Sequence, residues 1–211
     1  MFGTHDLLLF ILAGWLLNVT PGPDTALIVA RSTQLGFKGG AAACFGVAAG
    51  CMLHIAAAAL GISALIAASA TAFGIIKFLG AAYLIYMGIR MIVTRRADDG
   101  TAPAGLRAPM GLAKVFQQGF ITNAFNPKVA LFFLAFLPQF IDSDAPSTAL
   151  AFVFLGVVFN INGTLWNLGV AYATARAAAM MRGARTFQRW IDCTIGALFV
   201  AFGVKLALFQ R

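Results

Sequence analysis

Two short segments carry residues whose types and spacing can do chemistry inside an otherwise apolar chain. The first is Asn18-Val19-Thr20-Pro21-Gly22-Pro23-Asp24. The second is Asn123-Ala124-Phe125-Asn126-Pro127-Lys128. Asp24 and Lys128 both lie inside long apolar runs. A charge there is expensive and normally faces a bundle interior or a water-filled cavity. The two together suit a zwitterion, with Lys128 for a carboxylate and Asp24 for an ammonium group. They also suit proton exchange, for which Asp24 is the better candidate because Lys128 must stay charged to hold an anion. A static ion pair is the plainer alternative. Asn18, Thr20, Asn123 and Asn126 flank the charges as hydrogen-bonding groups.

Other polar residues carry weaker signals. Asn160, Thr164 and Asn167 share one helical face at i, i+4 and i+7. They could line a polar path, or make interhelical hydrogen bonds worth about 0.6 kcal/mol each. Gln117 and Gln118 precede the second segment and could line its cytoplasmic side. Cys44, Cys51 and His54 form a stripe that a soft metal cation could use, but without a nearby carboxylate they read as packing. There is no C-x-x-C pair, no Ser-His-Asp spacing and no nucleotide-binding glycine loop, so no enzyme, cofactor or metal site is expected. Ala42, Gly46 and Gly50 form a small-residue row that permits close helix packing, within the chain or in a homodimer.

The elements that position these residues follow from composition. Of 211 residues, 61% are hydrophobic and 10% charged, with no glutamate. A soluble domain has roughly 25% charged residues, so this chain is read as a membrane protein. Apolar runs fall at 6–31, 39–68, 72–93, 114–141, 148–178 and 187–208. Each is long enough for a spanning helix of about 20 residues. Hydrocarbon offers the backbone no partners, so the runs must be helical where lipid touches them. Pro21, Gly22 and Pro23 must break the first helix, and Pro127 the fourth. The segment before Asp6 lacks a basic leader, so the first helix is expected to be retained.

Eleven of the 15 basic residues sit in the first, third and fifth connections. By the positive-inside rule those connections are cytoplasmic and both termini lie outside. The basic residues form no dense stripe, so nucleic acid is not an expected partner. The longest connection divides the chain into a first three-helix half at 1–93, a linker at 94–113 and a second half at 114–211. An odd number of spans turns the halves opposite ways across the bilayer. Asp24 and Lys128 occupy equivalent places at an offset of 104 residues. Gly80 and Gly88 likewise echo Gly196 and Gly203. The expected fold is all-α: six transmembrane helices in two inverted three-helix repeats, the first and fourth broken. Inverted repeats with broken helices are a design of secondary transporters.

The N-V-T-P-G-P-D break, the stretch from Lys77 to Arg90, the segment from Gly119 to Lys128 and the F-L-P-Q-F at Phe136–Phe140 together resemble the LysE/RhtB family of bacterial amino-acid exporters. The resemblance runs over nearly the whole chain. It implies an inner-membrane efflux protein for amino acids or derivatives of the threonine, homoserine or lysine type, driven by proton antiport. The rival readings are a metal-cation exporter using Cys44, Cys51 and His54, a membrane thiol-disulfide enzyme, and a structural membrane partner that moves no solute.

Overall fold

A computed structural model of the chain describes residues 2–61, 110–142 and 144–180. It also describes Phe78, Ala82, Ile85, Tyr86, Ile89, Thr194, Ala197, Val200, Ala201, Val204 and Leu208, each helical. Apart from these positions, the third and sixth apolar runs, most of the linker and the Gly80/Gly196 echo lie outside the described residues. Most of the described chain is helical. One isolated bridge, Thr4 to Ile141, is the sole β pairing among the described residues.

The helix α1 covers Leu7–Val19. It ends where Thr20 turns extended (φ −63°, ψ 120°) ahead of two prolines. Gly22 is extended as well, and Pro23 opens α2, Pro23–Ala59. Proline suits a first helical turn because its missing N–H would have no partner there. Gly36 then departs from helical geometry, with φ 69°. That left-handed region is open to glycine at little strain. The chain reverses there. Asp24 and Cys51 line one cavity although a straight helix would set them about 40 Å apart. A Cβ on Gly40 would collide with Ser32 Oγ, as expected across a tight hairpin. The expected first and second runs are therefore joined at Gly36, and the first is broken at 20–22.

The second segment behaves similarly. Helix α3, Leu112–Ala124, ends at Phe125. Asn126 caps α4, Pro127–Leu131, by accepting the Lys128 backbone N–H at 3.0 Å. The chain continues as a π-helical turn, Phe132–Phe136, and a 3-10 turn, Leu137–Phe140. The bend between α3 and the Pro127–Phe140 stretch is 44°. Helix α5 covers Thr148–Met180. By length and composition α5 and α2, the latter counted across its Gly36 turn, can each cross a membrane, and the bent pair counts as a third such span. Leu8, Leu9, Leu12, Trp15 and Leu16 of α1 are exposed, a face suited to lipid.

Glycines let the helices approach. A Cβ on Gly46 would collide with the Phe116 carbonyl, one on Gly119 with the Ala43 carbonyl, and one on Gly50 would stand 2.6 Å from Phe120 O. Gly46 and Gly50 of the small-residue row are thus used within the chain, against α3. Two apolar clusters result. One, near the Gly36 turn, holds Leu27, Ile28, Cys44, Val47 and Val115. The other is aromatic, with Phe10, Phe132, Phe133, Phe140 and Phe159. The N-terminal segment is tied to the aromatic end by His5 N–H to Phe140 O (3.1 Å) and Asp142 N–H to Gly3 O (2.8 Å).

Candidate functional site

Both helix breaks meet at one polar cavity. Asp24 lies in the first turn of α2, where the helix dipole favours an anion. It is 9% exposed. Asn123 Nδ2, from the last turn of α3, donates to Asp24 Oδ2 at 2.8 Å. Asn126 Nδ2 donates to the same oxygen, also at 2.8 Å. Among the described residues Asp24 Oδ1 has no hydrogen-bond partner.

Lys128 does not pair with Asp24. Among the described residues no ion pair within 4.0 Å joins them. Lys128 Nζ instead donates to Leu17 O at 3.1 Å and to Thr20 O at 2.9 Å. The plain ion-pair alternative therefore does not describe this conformation. An ammonium has three N–H donors, so one is left beside the cavity.

The cavity is lined by Asn18, Asp24, Asn123, Lys128, Asn160, Thr164 and Asn167, with apolar walls from Leu17, Val47, Val129 and Phe159. Its free volume, the space open to the centre of a water molecule, is about 30 Å³. A water needs roughly 10–15 Å³ on that measure, so two waters fit and an amino acid does not. Among the described residues, Asn18 Nδ2 and Asn123 Oδ1, like Asp24 Oδ1, are buried without a hydrogen-bond partner. Leaving such groups unpaired costs about 1–3 kcal/mol each, so water or another polar group in the cavity is favoured.

The remaining polar positions separate. Thr20 Oγ1 bonds back to Leu16 O at 2.8 Å, and its carbonyl, not its hydroxyl, serves the site. Asn160 lines the cavity and also donates to Ala48 O at 3.1 Å. Gln118 stands apart from the lining and accepts from Arg31 Nε at 3.1 Å. Cys51 lines the cavity, whereas Cys44 Sγ faces Thr164 O at 3.5 Å. His54 Nε2 lies 2.9 Å from Asn123 O, so that nitrogen carries the proton and donates. Among the described residues no group of three His, Cys, Asp or Glu could hold a metal ion. The sequence signals did not reach Phe159, Val47 or Gly163, which line the site without any polar mark. Gly163 sits against the Asn18 amide: a Cβ there would stand 3.1 Å from Asn18 Oδ1.

Comparisons with known proteins agree with a membrane translocator. An uncharacterised membrane protein of Pseudomonas aeruginosa is 31% identical over 207 residues, covering 97% of this chain and 96% of its own. One from Bacillus subtilis is 32% identical over 210 residues, covering 97% and 99%. A leucine efflux protein of Salmonella typhimurium is 28% identical over 209 residues, covering 99% and 98%. No solved structure matches the chain. The model of the LysE type translocators matches residues 15–210. This membrane chain, a transporter and not an enzyme, therefore belongs to the LysE type translocator family.

Proposed function

We propose that the protein exports amino acids with apolar side chains across the bacterial inner membrane in exchange for protons. The observation that carries this reading is the set of unpartnered groups around the cavity. Asp24 Oδ1 and Asn123 Oδ1 are acceptors suited to an α-ammonium group. The third N–H of Lys128 and the Asn18 amide are donors suited to an α-carboxylate. Asp24 is the one carboxylate among the described lining residues. A zwitterion uses it fully, leaving no anion for a cationic side chain. The walls of Leu17, Val47, Val129 and Phe159 suit an aliphatic side chain. The leucine efflux relatives support the same class over the lysine or threonine types.

Proton exchange follows from competition. An ammonium group and a proton both need the Asp24 carboxylate, so binding one opposes the other. Such mutual exclusion at a shared site is a positive, unfavourable coupling free energy between the two ligands, the basis of exchange. The architecture of this reading is six spans in two inverted halves, with the Arg31 and Lys38 turn on the cytoplasmic side and both termini outside. Rocking of one half against the other would open the cavity to either side in turn.

The test is efflux from purified protein in liposomes loaded with labelled amino acids, with and without an imposed proton gradient. The expected result is gradient-dependent efflux of leucine-like substrates, abolished in Asp24→Asn. Absence of flux for any amino acid from folded, inserted protein overturns the reading. An Asp24→Asn variant with unchanged rate and unchanged pH dependence overturns the role of Asp24.

A further inference from the structure

The two carbonyls that hold Lys128 are not ordinary ones. In a continuous helix, Leu17 O would accept the N–H of residue 21. Residue 21 is proline and has none. Thr20, in extended geometry, turns its carbonyl out of the helix altogether. The break therefore leaves carbonyl oxygens at the negative end of the α1 dipole. Unwound carbonyls and half-helix C-termini are where broken-helix transporters coordinate a sodium ion or a proton. Here Lys128 Nζ stands there, 3.1 Å from Leu17 O and 2.9 Å from Thr20 O. It arrives from the other break, on the first turn of α4. Gly22 leaves the lane through which it reaches: a Cβ there would stand 3.3 Å from Nζ and 3.5 Å from Cε.

We propose that the Lys128 ammonium is a tethered cation, occupying the carbonyl site of the first break in place of a coupling metal ion and fixing the end of α1 to α4. Lys128 is thus a positioning residue toward α1, in addition to facing the cavity. The amine is covalently attached, so it cannot be carried across the membrane. The chain then needs no sodium. Removal of the side chain leaves a site whose chemistry suits a primary ammonium group, with N–H donors for both carbonyls. The proposal rests on the family's translocator activity and not on which solute is carried.

The experiment compares Lys128→Ala, Lys128→Met and Lys128→Arg with the wild type in detergent. Thermal stability is measured in choline, sodium, tetramethylammonium or methylammonium chloride at one ionic strength. The wild type is expected to melt at the same temperature in all four salts. Lys128→Ala is expected to melt several degrees lower and to recover in methylammonium but not in tetramethylammonium, which has no N–H. Should Lys128→Ala fail to fold, the other pair decides. Lys128→Arg, which keeps a cationic donor for the two carbonyls, is expected to melt several degrees above Lys128→Met in the same detergent. Equal recovery in both ammonium salts, equal behaviour of the Met and Arg variants, or a sodium requirement in the wild type overturns the proposal. The stability readout fails or succeeds independently of whether amino acids are the cargo.

Discussion

Asn126 Nδ2 lies 2.8 Å from Asp24 Oδ2, so the residue that starts α4 also holds the carboxylate that starts α2. The other end of the same side chain accepts the Lys128 N–H at 3.0 Å. One amide thus spans the two breaks, satisfying a helix N-terminus with its oxygen and a buried anion with its nitrogen. An aspartate could cap the helix equally well but could not donate.

Asn126→Ala is therefore expected to lose both functions. The expected loss of stability is about 1–3 kcal/mol, read as a lower melting temperature in detergent, with reduced efflux. Asn126→Asp keeps the cap but sets a second carboxylate against Asp24. It is expected to transport less than Asn126→Ala at neutral pH, because two like charges would share a buried site. An Asn126→Asp variant with wild-type efflux would contradict this account.

The approach of α2 to α3 depends on absent side chains. Gly119→Ala puts a Cβ into the Ala43 carbonyl and 3.0 Å from Val47 N. Both neighbours are backbone and cannot swing aside. Overpacking of this kind typically costs about 1–3 kcal/mol, and the shift would also move Asn123, one turn along α3, away from Asp24. Gly169→Ala is the matched control, since a Cβ there meets nothing within 4 Å. It is expected to be neutral or slightly stabilising. Size-exclusion profiles and melting curves of the two variants check the contrast; equal curves would mean the helices do not pack this closely.

Phe159 closes one wall of the cavity and stacks on Phe132, with ring centroids 4.5 Å apart. Phe132 opens the π-helical turn Phe132–Phe136, a geometry frequent at functional sites. Phe159→Ala is expected to widen the cavity and admit bulkier side chains, seen as stronger competition by phenylalanine against labelled leucine. A stability loss of about 3–5 kcal/mol should accompany it. Unchanged selectivity in a folded Phe159→Ala protein would remove Phe159 from the substrate wall.

The sequence by itself determined the breaks and the apolar helices around them. Pro21, Pro23 and Pro127 act through their own missing N–H groups, a local effect that needs no tertiary partner. Apolar composition is likewise additive along the chain, so membrane residence was legible without a fold. That Asp24 and Lys128 face an interior cavity was legible too, because a charge in an apolar run has few inexpensive places to go. What each charge touches was decided by the tertiary structure. Asp24 is bound by two amides separated from it by about a hundred residues, and Lys128 by two backbone carbonyls. Carbonyls are identical in every residue and leave no trace in side-chain type, so a sequence pattern points to the opposite charge first. The same holds for Gly46 and Gly119, whose roles appear only when two backbones meet. Phe159 and Val47 look like any core residues until the fold sets them around a polar cavity. Long-range pairing and close packing are relations between distant segments, and only the folded chain expresses them.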